Sequence, residues 1–77
     1  MSKEYIINFL EFFVHSDYNE ITITLKNGSI ICIDTDIENI EYGYTTITIT
    51  DLFNEKLFIQ FSYDLIKEIK INGDIND

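Results

Sequence analysis

Arginine and proline are absent from this chain, cysteine and histidine occur once each, and lysine occurs only five times. Each shortage excludes something. Arginine makes the bidentate contact to phosphates and guanine, and lysine adds charge that displaces counterions from a nucleic acid. Fourteen acids against five lysines leave a net charge of −9. Direct nucleic-acid binding is therefore not expected, and an anionic membrane surface repels such a chain. A lone cysteine, Cys32, cannot form the disulfide scaffold of a small secreted domain. The opening M-S-K-E has no apolar signal core, and no run approaches the roughly 18 apolar residues of a membrane span. The expectation is a soluble protein of a reducing, cytoplasmic compartment.

What is present points to a folded chain. Seventy-seven residues make one domain, 1–77,. A domain this short buries only roughly 60% of the surface its unfolded chain exposes, so its core must be rich. The composition is 45% apolar and 14% aromatic, which a disordered chain lacks,.

The apolar spacing changes along the chain. Ile6, Phe9, Leu10 and Phe13 recur at i, i+3, i+4 and i+7, which predicts a helix over 3–16,. Ser2 is its expected N-cap, and Glu4 suits the positive end of the helix dipole. Glu4, Asn8, Glu11 and His15 share the opposite face, while Ile7, Phe12 and Val14 widen the apolar one. S-D-Y-N at 16–19 reads as the turn that follows.

The period then becomes two. Strands are expected at about 20–26, 29–38, 43–53, 56–62 and 66–71, with a polar tail at 72–77. In E-I-T-I-T-L, Ile21, Ile23 and Leu25 alternate with threonines. Asn27-Gly28 signals a two-residue type I′ hairpin. That register sets Leu25 opposite Ile30, Ile23 opposite Cys32 and Asp34 opposite Ile21, with Cys32 on the core face. Residues 35–43 are ambiguous; they continue the second strand around a bend if Ile37 and Ile40 point inward. In 44–50, Ile47 and Ile49 alternate with Thr46, Thr48 and Thr50. In 56–62, Leu57, Ile59 and Phe61 oppose Phe58 and Gln60. S-Y-D-L at 62–65 reads as one tight turn.

The expected fold is mainly β: an N-terminal helix, then a five-stranded, antiparallel, strongly bent small barrel. Closure removes exposed strand edges. An open meander packed on the helix is the rival.

I-T-I-T-L-K-N-G-S-I-I-C-I and F-I-Q-F-S-Y-D-L-I-K-E-I-K-I, together with the helix, resemble the Sm-like small-barrel pattern over 3–71. That family has a helix, five bent strands, an N-G turn and a one-turn link before the last strand. The resemblance implies a barrel of the Sm-like or SH3-like kind and a ring or other oligomer. Members that bind RNA carry a polar, basic signature near the last two strands. Here that region is S-Y-D-L, with Asp64, and the glycine of the bent second strand is missing. RNA binding is therefore not carried over, and no functional residue is transferred.

Catalytic and metal motifs are weak. Asp34, Asp36 and Glu38 have the 1-3-5 spacing of a calcium loop, but its sixth position is Asn39 and its twelfth is Thr45. A calcium loop needs glycine and a bidentate acid there. Cys32 sits in the apolar I-I-C-I, where a thiolate is disfavoured. His15 falls near a helix C-terminus, where its charge suits the dipole. The expectations are no catalytic residue, no metal, no cofactor and no enzyme activity.

The acids are unevenly distributed. Asn27 to Glu55 contains Asp34, Asp36, Glu38, Glu41, Asp51 and Glu55 and no lysine. Alternate acids along a strand stand roughly 6.5–7 Å apart, near the spacing of successive phosphates on an extended nucleic-acid strand. Tyr42 and Tyr44 add aromatic surface of the kind enriched at interfaces. The expected function is a non-enzymatic acidic binding module for a basic protein surface. Its most concrete form mimics nucleic acid and inhibits a nucleic-acid-handling enzyme; the profile resembles small acidic anti-defence proteins of phages in size and charge. The alternative is an oligomeric Sm-like scaffold or small-ligand ring without RNA binding. The expected partner-binding residues are the six acids above with Tyr42 and Tyr44.

Overall fold

The computed structural model describes residues 1–16 and 20–71. The expected turn at 16–19, apart from Ser16, and the expected tail at 72–77 lie outside them. The first element is helix α1, Lys3–Val14, two residues shorter at its end than the periodicity implies. Ser2 caps it: its hydroxyl accepts from the Tyr5 amide. Such a cap typically contributes ~1 kcal/mol. Ile6, Leu10 and Phe13 are fully buried and Phe9 is half-buried, so the apolar stripe does what its spacing implies.

Six strands follow among the described residues, where five were expected: β1 Glu20–Leu25, β2 Ile30–Asp34, β3 Glu38–Tyr42, β4 Thr46–Asp51, β5 Phe58–Ser62 and β6 Ile66–Ile71. The expected second strand, 29–38, is broken at 35–37 by a turn, closed by the Ile37 amide donating to the Asp34 carbonyl at 3.1 Å. The strands form two antiparallel three-stranded sheets, ordered β2-β1-β6 and β3-β4-β5, and not a closed barrel. A one-turn 3-10 helix, Tyr63–Leu65, links β5 to β6. The Ser62 hydroxyl caps it by accepting from the Asp64 amide.

The first hairpin differs from expectation by one register step. Gly28 has a φ of +93°, and no non-glycine residue among those described has a positive φ. A type I′ turn needs positive φ at Asn27 as well. The chain instead makes a three-residue loop: the Gly28 amide donates to the Leu25 carbonyl, and the Leu25 amide donates to Ser29. Thr24 therefore pairs with Ile30, Ile23 with Ile31, Thr22 with Cys32, and Glu20 with Asp34. Because side chains alternate, the one-residue slip moves Cys32 from the core to the exposed face, its sulfur 3.9 Å from the Thr22 hydroxyl,.

One core joins the helix and both sheets. Ile21, Ile23, Leu25 and Ile33 come from the first sheet; Ile47, Ile49 and Phe61 come from the second. Fully burying each such side chain stabilises the fold by about 1.5–3 kcal/mol. The threonines of β4 stay half-buried on the outer face, as their alternation with Ile47 and Ile49 predicts. Strand β5 is less covered. Only Phe61 is buried, while Leu57, Phe58 and Ile59 are exposed, so the expected inward trio reduces to one. Its sheet order makes β5 an edge strand.

Candidate functional site

Four of the six acids that the sequence spreads over 34–55, Asp34, Asp36, Glu38 and Asp51, meet at one end of the β3–β4 pair. Strands β3 and β4 pair so that Glu38 faces Asp51. The amide of Leu52, just past β4, donates to the Ile37 carbonyl at 3.0 Å and ties the two connections together. Like charges directly opposite on a sheet repel. Here the repulsion is offset by local hydrogen bonds. Glu38 Oε1 accepts from the Asp34 amide at 3.0 Å. Asp51 Oδ1 accepts from the amides of Phe53 (2.7 Å) and Asn54 (3.0 Å). Asp34 Oδ1 accepts from the Asp36 amide at 2.9 Å, which shapes the turn that breaks the expected strand,.

Asp34, Asp36 and Glu38 thus lie across a tight turn and do not form the evenly spaced strand row expected of them. Asp34 and Glu38 are half-buried; Asp36 is exposed. Glu41 is exposed on the opposite face of β3 from Glu38, where its carboxylate accepts from the Thr50 hydroxyl at 3.5 Å. Glu55 is exposed in the β4–β5 connection.

The two tyrosines lie at the other end of β3. Tyr42 shares the inner face with Glu38 and Ile40, and its hydroxyl donates to Glu11 Oε2 at 3.0 Å. Burial, then the hydrogen bond to Glu11 and the Glu11 charge, raise its pKa well above the ordinary 10.0. Tyr44 is 89% exposed. The Lys3 ammonium donates to its backbone carbonyl at 2.7 Å and sits 4.7 Å from its ring centre and 5.3 Å from that of Tyr63. These are cation–π distances. The structure therefore brings Asp34, Asp36, Glu38 and Asp51 together and keeps Tyr44 apart from them.

A groove of about 360 Å³ opens beside the acidic turn. Glu11, Val14 and His15 of the helix end form one wall; Thr35, Glu38, Asn39, Ile40 and Leu52 form the rest. Sequence reasoning did not assemble it, since three distant segments build it. The available signal was Glu11, on the polar helix face one turn before His15.

Among the described residues, no group of three or more His, Cys, Asp or Glu is placed to hold a metal ion, and no helix is long and apolar enough to cross a membrane. Compared with known proteins, the chain matches no family model, no curated protein and no solved structure.

Proposed function

We propose that the protein is a non-enzymatic binding module whose acidic end docks on a basic protein surface. The observation that supports this reading is the convergence of Asp34, Asp36, Glu38 and Asp51 where the β2–β3 turn meets the β4–β5 connection. A net charge of −9 steers a basic partner toward it and makes the encounter salt-dependent,. The most concrete partner is a nucleic-acid-handling enzyme of the type that phage anti-defence proteins inhibit, with the acids standing in for phosphates at its binding surface. The test is capture of partners from a host lysate, followed by competition. Release of the captured protein by added double-stranded DNA or RNA at constant salt supports mimicry. Release by salt alone leaves a general basic partner, and no salt-sensitive partner at all sinks the reading.

A second reading rests on a different observation. Strand β5 is an edge strand with Phe58 and Ile59 exposed, and Leu57 just before it is exposed too. Such an edge is a template for pairing with another chain. An oligomeric Sm-like scaffold, with subunits joined at strand edges, is the alternative function. Light scattering over a concentration series decides it: a strict monomer at the highest concentration removes the oligomer.

A further inference from the structure

The groove beside the acidic turn combines two chemistries. Ile40 is half-buried in it, and Val14 (38% exposed) and Leu52 (53% exposed) leave apolar surface open toward it. Glu11 from the helix and Glu38 from β3 both line the same space, with His15 beside them. Both carboxylates are held in place from within: Tyr42 donates to Glu11 Oε2 and the Asp34 amide donates to Glu38 Oε1. A site fixed before its ligand arrives loses less ordering entropy on binding. A free anion does not fit two carboxylates, and a purely apolar ligand leaves them desolvated without a partner. A long side chain with an apolar stem and a cationic head satisfies both parts, as lysine and arginine do when they lay their methylenes on apolar surface.

We propose that this groove receives one lysine or arginine side chain projecting from the basic partner, with its stem on Val14, Ile40 and Leu52 and its head between Glu11 and Glu38. The inference rests on the docking role given to the acidic end and adds to it an anchor point. It also assigns roles to residues outside the acid row: Glu11 as a cation acceptor, Leu52 as the support for the stem, and Tyr42 as the residue that positions Glu11. A groove of about 360 Å³ lies in the range of small-ligand sites and is large enough for such a side chain,.

Stem length separates this proposal from general attraction to acids. Side-chain analogues serve as probes: n-butylammonium and n-butylguanidinium, against methylammonium of the same charge, titrated into the whole protein and followed by amide NMR shifts. The expected result is a response of Val14, Ile40 and Leu52 amides and roughly tenfold tighter binding of the butyl cations, since each methylene buried on apolar surface adds up to about fourfold. The double variant E11Q/E38Q keeps the two internal acceptors and is expected to lose the response. L52A is expected to lower the butyl preference toward the methylammonium level. Equal binding of butyl and methyl cations, or shifts spread over Asp64 and Glu68 as well, overturns the groove while leaving acidic-end docking intact. Loss of salt-sensitive partner binding in the capture experiment overturns the docking reading instead.

Discussion

At one end of the β3–β4 pair, Tyr42, Gly43 and Tyr44 lead into β4; at the other, Glu38 faces Asp51. The tyrosine end is compensated by its own chain. Lys3 lies against both Tyr44 and Tyr63, the Tyr63 hydroxyl donates to the Gly43 carbonyl at 2.9 Å, and the Gly43 amide donates to the Thr46 carbonyl at 2.7 Å. The acidic end satisfies backbone amides with its own carboxylates: Asp34, Glu38 and Asp51 each accept from an amide of a neighbouring turn. Stability and interaction are thus separated along one pair of strands. The tyrosine end locks the helix start to the second sheet, and the acidic end is held in shape by its carboxylates while presenting their charge.

The comparison is broken most strongly at Tyr63, which is 5% exposed. Tyr63→Ala removes a buried aromatic ring and the donor to Gly43, and is expected to cost about 3–5 kcal/mol in urea unfolding. Glu55→Lys in the exposed β4–β5 connection is expected to stay within about 0.5 kcal/mol of wild type,. Equal losses at the two sites would erase the distinction between them. A smaller effect is expected from Lys3→Met, which keeps the apolar stem and removes the cation over two rings, at about 0.5–1 kcal/mol.

Tyr42 gives the smallest effect at neutral pH and connects the two ends, because its phenol reaches the Glu11 carboxylate. Its folded pKa is raised above the ordinary 10.0. The neutral phenol is therefore the form that the fold favours. Its contribution is fully present below pH 10 and is lost as the pH rises above that value. Unfolding midpoints measured from pH 9 to 11.5 are expected to fall for wild type and to fall less for Tyr42→Phe. Parallel curves would remove the Glu11–Tyr42 coupling from the account.

Much of the fold is legible in the sequence where the period is clean. The i, i+3, i+4, i+7 spacing and Ser2 mark the helix, and strict alternation marks β1, β4 and the buried faces of both. The misread places share a physical cause, which is turn chemistry carried by side chains. With no proline and three glycines, the chain shapes its turns with Asp and Asn. Asn27, Asp34, Asp51 and Asn54 each accept from an amide two residues ahead. D-T-D-I contains no glycine or proline, so the turn at 35–37 read as continuing strand, and two sheets read as one bent barrel. At Asn27-Gly28 the dipeptide marks a hairpin correctly but does not distinguish a two-residue loop from a three-residue one. That single step relocates Cys32. The groove was hidden for another reason: Glu11, Ile40 and Leu52 are far apart in sequence, and only packing unites them.

The acids therefore have two roles in one region. The carboxylates of Asp34, Glu38 and Asp51 accept from backbone amides at the turns, while Asp36, Glu41 and Glu55 are exposed. Reversing the second set tests the charge while keeping the three carboxylates that accept from backbone amides. The most direct measurement is the affinity of the captured partner for wild type and for D36K/E41K/E55K across a salt series, beside their unfolding midpoints. The account predicts at least tenfold weaker binding and a shallower salt dependence, with the unfolding midpoint little changed. Unchanged affinity and an unchanged salt slope would contradict it.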